Sequence, residues 1–234
     1  MSNNAVVLTP KFKIITYTIT YHLDGGINSV YNNKTSRDIN TELIYLYDAT
    51  KDYYTFVGWS TNKDYMQSIS NIPKGYVGNI DLYAKFNPTQ YQIYYNLDNG
   101  KNNTENKASY SILDEFTLKN PTRAGYTFEG WYSDPACITP AITSIKKGSS
   151  GVLIFYANWT MNTYNVIYHL NGGTNHKDNI LTADPTTSFL LKAPIRIGYT
   201  FDGWFTQPDY RYSITSISNV TNDLNIYARW IANK

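Results

Sequence analysis

Three histidines and one cysteine are the side chains here that could serve as base, nucleophile or metal ligand near neutral pH. His22 and His169 stand in matching contexts, Tyr-His-Leu-Asp-Gly-Gly and Tyr-His-Leu-Asn-Gly-Gly, and a third occurrence of that context carries Asn96 instead. An amide cannot do the work of a general base, so the position reads as an outward polar place on a strand. His176 lies in the polar run Asn175-His176-Lys177-Asp178 and reads as a solvated loop residue. Cys137 follows Asp134-Pro135-Ala136; no second cysteine offers a zinc site, and no histidine is nominated as its partner in a nucleophile pair. Asp24-Gly25-Gly26 and its counterparts lack the spaced oxygen ligands and closing glutamate of a calcium loop. No phosphate-binding or dinucleotide glycine pattern is present. The sequence nominates no catalytic residue, no metal and no cofactor.

Aromatic side chains are the remaining chemistry. Tyr83, Tyr156 and Tyr227 occupy the same place in three copies of one segment, Leu-Tyr-Ala-Lys-Phe, Phe-Tyr-Ala-Asn-Trp and Ile-Tyr-Ala-Arg-Trp. Exposed tyrosines among Asn and Ser suit adhesive recognition, because the ring offers a large contact at low entropic cost, and they could also stack on sugar rings. Trp59, Trp131 and Trp204 read instead as core or module-joint residues.

These residues are positioned by a repeat. Gly125-Tyr-Thr-Phe-Glu-Gly-Trp-Tyr132 returns as Gly198-Tyr-Thr-Phe-Asp-Gly-Trp-Phe205, and as Tyr53-Tyr-Thr-Phe-Val-Gly-Trp-Ser60 with its first glycine lost. The marker glycines Gly58, Gly130 and Gly203 are 72 and 73 residues apart, so the chain is three copies of one module of about 70 residues. Each copy opens with an alternating strand (Tyr17–Leu23, Tyr91–Leu97, Tyr164–Leu170) and a tight turn, Asp24-Gly25-Gly26, Asp98-Asn99-Gly100 or Asn171-Gly172-Gly173, whose residues tolerate positive φ. A variable stretch rich in Asn, Lys, Ser and Thr follows. Ile44, Phe116 and Phe189, each 12 residues before Phe56, Phe128 and Phe201, mark one core position on a second strand.

The marker reads as a strand with Phe128 and Gly130 on one face and Trp131 on the other. Its glycine lets a ring lie against the backbone or marks a bulge. The first copy lacks the proline and glycine that punctuate the entry turn in the others, so a different turn is expected at Ala49–Tyr53. Ser68–Ser70, Thr143–Ile145 and Ser216–Ser218 are candidates for a single helical turn. A closing strand ends each copy. The expected modules are 14–87, 88–161 and 162–234, with 1–13 as an N-terminal arm in which Ala5–Leu8 forms a strand or stays loose. Joints of four residues span at most about 14 Å, so neighbouring modules nearly touch. Strand rises predict an elongated array of roughly 80–100 Å.

Composition agrees with a mainly β chain. Aromatics are 16% of residues, with 23 tyrosines and 5 tryptophans, and large rings give a small module a core. Net charge is +2 with no basic block, which argues against a nucleic-acid partner. No apolar run is long enough to enter a membrane as a helix. The first ten residues do not read as a secretory signal and no sorting tail follows Lys234, which suggests a fragment or a protein exported by another route.

Strand, D/N-G-G turn, G-Y-T-F-x-G-W and closing L-Y-A-x-W together resemble the Listeria–Bacteroides repeat family, the B-repeat of internalin-type surface proteins. The resemblance covers about 15–86, 91–159 and 164–230, departing at Tyr53, where the family has glycine, and at Phe86, where it has tryptophan. It implies a small β-grasp-like module used as stalk and interaction segment in bacterial surface proteins, with no catalytic residues to carry over. The expected function is a non-enzymatic, outward-facing spacer, fibre or adhesion protein, either a phage virion component (capsid decoration or fibre) or a bacterial cell-surface segment. Its partner would be a virion or surface scaffold met through residues 1–13, or a host-surface glycan or receptor. The alternative is a carbohydrate-binding accessory of a cell-wall-active protein.

Overall fold

A computed structural model describes residues 8–234. Backbone contacts divide the chain into two compact units: residues up to Tyr91 with 110–114 and 147–150, and residues 92–109 with 115–146 and 151–234. No helix occurs among the described residues. The strand considered for Ala5–Leu8 falls mostly outside them, and 8–16 are irregular.

The first copy contains β1 (Tyr17–His22), β2 (Ser36–Arg37), β3 (Ile44–Tyr45), β4 (Tyr54–Ser60), β5 (Ser68–Ile69), β6 (Asn71–Ile72) and β7 (Ile80–Pro88). Its sheet runs β2-β1-β7-β4-β5. The first and last long strands, β1 and β7, are neighbours and parallel, with Ile19 opposite Ile80 and His22 opposite Tyr83. The marker strand β4 lies antiparallel on the other side of β7. Strands β3 and β6 form a separate two-stranded ribbon, Ile44 opposite Ile72.

The second copy repeats this with β8 (Tyr91–Asn96), β9 (Ser109–Tyr110), β10 (Phe116–Thr117), β11 (Tyr126–Tyr132), β12 (Ser144–Ile145) and β13 (Leu153–Met161). The third has β14 (Tyr164–His169), β15 (Thr182–Ala183), β16 (Ser188–Leu190), β17 (Tyr199–Phe205), β18 (Ser213–Ile214), β19 (Ser216–Ser218) and β20 (Leu224–Ala232). Pairing β8 with β13, and β14 with β20, is again parallel. Phe116 faces Ile145 and Phe189 faces Ile217 in the small ribbons, so the three residues 12 before the marker phenylalanine share one place.

Three sequence expectations are corrected. The segments Ser68–Ser70, Thr143–Ile145 and Ser216–Ser218 form short strands, not helical turns. Phe128 and Trp131 do not face opposite ways. The ladder slips between Phe128 and Gly130, as it does between Phe56 and Gly58 and between Phe201 and Gly203. One extra residue in a strand that otherwise alternates returns both rings to the same side, and they meet edge to face at 5.3 Å. The first copy's entry turn is the same turn. Tyr53 adopts φ 65°, close to the 78° of Gly125 and 79° of Gly198, and the Tyr54 amide donates to the Lys51 carbonyl at 3.0 Å, as Tyr126 does to Arg123. The ladder on either side holds this tyrosine in a left-handed conformation that a side chain seldom takes.

The first and third copies each bury their own core. The first packs Ile19, Ile44, Trp59, Ile72, Leu82 and Ala84, and the third packs Val166, Trp204, Ile217, Ile226 and Ala228. Tyr21, Tyr95 and Tyr168 lie beside the marker tryptophans. The hydroxyls of Tyr95 and Tyr168 donate to the carbonyls of Lys107 and Ile180 at 3.0 Å, whereas that of Tyr21 is buried and finds no partner among the described residues. Burial pushes the Tyr95 and Tyr168 phenols up to about 12. Below the unfolded value near 10 both states are protonated. Between about pH 10 and 12 the unfolded chain releases protons that the folded one keeps, so stability falls as pH rises through that window. Alkaline titration followed by near-UV circular dichroism should show unfolding there. Tyr168→Phe should cost about 1 kcal/mol, while Tyr21→Phe should cost nothing or stabilise.

Candidate functional site

The residues that repeat are committed to holding each module shut. Trp59, Trp131 and Trp204 are 3%, 2% and 3% exposed. Each lies in a chain of edge-to-face rings: Tyr168 to Trp204 at 5.3 Å, Trp204 to Phe201 at 5.3 Å, Phe201 to Trp230 at 5.6 Å, with the same order in the other copies. This arrangement sets the positive ring edge against the negative face. The indole N–H of Trp59, Trp131 and Trp204 donates to the carbonyls of Tyr47, Lys119 and Lys192 at 2.9, 3.1 and 3.0 Å.

A side chain that the sequence reading passed over completes that bond. Asn32, Asn106 and Asn179 donate to the same three carbonyls at 2.6, 2.9 and 3.0 Å, and accept the amide N–H of the same residues at 2.8 Å. The Nδ2 group also reaches Asn28, Asn102 and Asn175 four residues earlier. An asparagine here imitates a strand neighbour and clamps the first loop to the chain ahead of the marker. The pattern Asn-x-x-x-Asn stands in all three copies of a stretch that otherwise reads as variable.

The turn glycines have two distinct jobs. Gly25 and Gly172 have φ of 78° and 86°. Gly26, Gly100 and Gly173 do not need positive φ. A Cβ there would lie 2.9 Å from the Phe86 ring, 2.6 Å from Trp159 and 2.5 Å from Trp230. The Trp159 and Trp230 indoles lie across the turn and donate to Leu97 and Leu170 at 3.0 and 2.8 Å. The first residue of the turn anchors the marker's entry: Lys51 and Arg123 pair with Asp24 and Asp98 at 3.0 and 2.6 Å while lying over Tyr54 and Tyr126.

The titratable candidates do not assemble a reactive centre. His22 Nε2 lies 2.8 Å from Asp81, but the matching His169 faces the amide of Asn225 at 2.9 Å. His176 Nδ1 accepts the Asp178 amide at 3.2 Å inside its own loop. Burial, then the Asp134 carboxylate, raises the Cys137 thiol and keeps it protonated. Among the described residues no three His, Cys, Asp or Glu side chains gather as metal ligands. No helix among them is long and apolar enough to cross a membrane.

The three tyrosines of the closing strand are half-buried and differ in what covers them. The His22 imidazole stacks on Tyr83 at 4.4 Å and His169 on Tyr227 at 4.3 Å, both within 8° of parallel. Tyr156 has Asn96 at that place and lines a pocket.

A bulged marker strand, a ring chain and an asparagine clamp, three times over, define a tandem β-repeat built around one buried tryptophan per copy. The sequence pattern of the Listeria-Bacteroides repeat domain matches residues 17–85, 91–158 and 164–229, and the chain belongs to that family. The chain is 24% identical, over all of its length, to a protein of Evansella cellulosilytica provisionally described as a Gly-rich membrane protein. It is 25% identical over 97% of its length to a provisionally described membrane protein of the same organism, and 28% identical over 61% to internalin H of Listeria monocytogenes. It spans 26%, 35% and 25% of the length of these relatives.

Proposed function

We propose that this chain is a non-enzymatic, surface-exposed structural and adhesion segment in which three β-grasp-like modules, 14–87, 88–161 and 162–234, act as a spacer presenting variable loops. The observation that carries this reading is a division of labour. The marker Trp, the clamping Asn and the turn Gly, present in all three copies, are consumed by internal contacts, while the loops between the strands vary in sequence from copy to copy. A cell-surface segment fits the membrane and internalin relatives better than a phage capsid decoration or fibre does. The partner is then a protein or glycan met by those loops; a contact through residues 1–13 rests on a stretch of which 1–7 lie outside the described residues.

Antibody against the chain should label intact cells that carry it. Labelling that appears only after lysis overturns the surface reading, and labelling of purified phage particles instead of cells moves the protein to the virion. The carbohydrate-binding alternative loses force in two copies, because His22 and His169 cover one ring face of Tyr83 and Tyr227. Only Tyr156 keeps a sugar platform, so glycan-array binding abolished by Tyr156→Ala would favour it.

A further inference from the structure

The three modules fill one surface patch differently, and the middle one leaves it open. In the third copy Tyr210, held at φ 58°, lays its ring against Phe205 at 5.4 Å and beside the Arg229 guanidinium at 6.0 Å. Its hydroxyl accepts from the Asn171 side chain at 3.0 Å. In the first copy Tyr65, at φ 55°, sits under Lys85 at 5.5 Å. The second copy has the same backbone, with Cys137 at φ 54°, but neither ring nor cation: Cys137 stands for the tyrosine and Asn158 for the cation. It also lacks the histidine that stacks on the closing-strand tyrosine, since Asn96 stands there. Two rings are therefore missing from one place. What remains is a pocket of about 330 Å³ lined by Asn96, Asp98, Pro135, Cys137, Tyr156 and Asn158, with Ala157 and the Trp159 indole completing its wall. Among the described residues no ring covers Tyr156.

We infer that this pocket binds a tyrosine side chain of a partner polypeptide, which takes the place that Tyr210 and Tyr65 fill within their own modules. The shape follows from the sister copies, where the same backbone accepts a phenol. The polarity follows from the turn. Asn171 donates to the Tyr210 hydroxyl, whereas Asp98 at the equivalent position presents a carboxylate. Arg123 binds its Oδ2, and a carboxylate has lone pairs for a further donor. A ring bearing a hydroxyl donor therefore fits better than a bare one, and Tyr156 offers it a stacking face. The neutral Cys137 thiol adds a small apolar wall. This inference deepens the partner-binding part of the spacer reading but does not need surface location, so the two fail separately.

The test is amide-resolved NMR of the full chain titrated with N-acetyl-tyrosinamide, N-acetyl-phenylalaninamide and methyl glycosides. Saturable shifts at 96–98, 137 and 156–159, with tyrosine binding about fivefold tighter than phenylalanine, are expected from one added hydrogen bond. The double variant Cys137→Tyr with Asn158→Arg should fill the pocket from within and abolish these shifts. Should that variant not fold, Asp98→Gly, which removes the acceptor and tolerates the φ of 44° there, should erase the preference for tyrosine over phenylalanine. Absence of saturable shifts, equal binding to a correctly folded filled variant, or a response to glycosides instead of tyrosine overturns the assignment.

Discussion

Trp204→Ala should lower the unfolding free energy of the third module by about 3–5 kcal/mol, the usual cost of removing a large buried ring. Three losses combine at this site. The ring is 3% exposed and packs edge to face on Tyr168 and Phe201, so a cavity opens in the middle of the ring chain. Its N–H no longer reaches the Lys192 carbonyl, although Asn179 still does. That shared acceptor sorts the contributions. Trp204→Phe keeps much of the volume and gives up only the donor, so it should cost far less than alanine. Asn179→Ala removes a donor and an acceptor together and leaves the Lys192 amide without its partner. Urea titration of the full chain, read by amide resonances assigned to the third module, measures each variant; a loss below about 1 kcal/mol for Trp204→Ala would contradict the packing described.

Gly173→Ala is the second large effect, expected at about 1–3 kcal/mol for overpacking a tight contact. A single methyl would stand 2.5 Å from the Trp230 ring and 3.1 Å from the Ile195 carbonyl, and backbone on two sides leaves little room to yield. The indole must swing away, and its bond to Leu170 at 2.8 Å goes with it. Gly25→Ala is the control, since nothing lies within 4 Å of its Cβ and the cost is only that of φ 78°. If steric contact governs the second glycine, pairing Gly173→Ala with Trp230→Phe should recover part of the loss, while the same tryptophan change should do nothing for Gly172→Ala. Thermal unfolding of these variants decides between the two causes.

Much of this was legible in the sequence because repetition shows which residues are held fixed. Three copies exposed the marker, the closing strand and the shared core place of Ile44, Phe116 and Phe189. What stayed hidden depends on pairings distant along the chain. The parallel contact of β1 with β7 leaves no local signal, since either strand alternates in the same way whatever its neighbour. The bulge before Gly58, Gly130 and Gly203 shifts register by one residue, and strict alternation then misplaces the phenylalanine. At Tyr53 the missing glycine predicts a changed turn, whereas the surrounding ladder imposes the left-handed conformation on a tyrosine. The clamping asparagines were lost in a stretch of polar residues, although their spacing of four recurs. The open pocket at Cys137 is defined only by contrast with the tyrosines that fill the same place in the other copies.

The parallel pairing of each module's first and last strands bears on how such a chain would carry load. Tension along the polypeptide draws β14 and β20 in opposite senses along their own axes. Their ladder bonds are then loaded side by side and must give way together, where an antiparallel pair pulled from its open end would unzip one bond at a time. A segment so wired is expected to resist extension more than an antiparallel pair of the same length pulled from its open end.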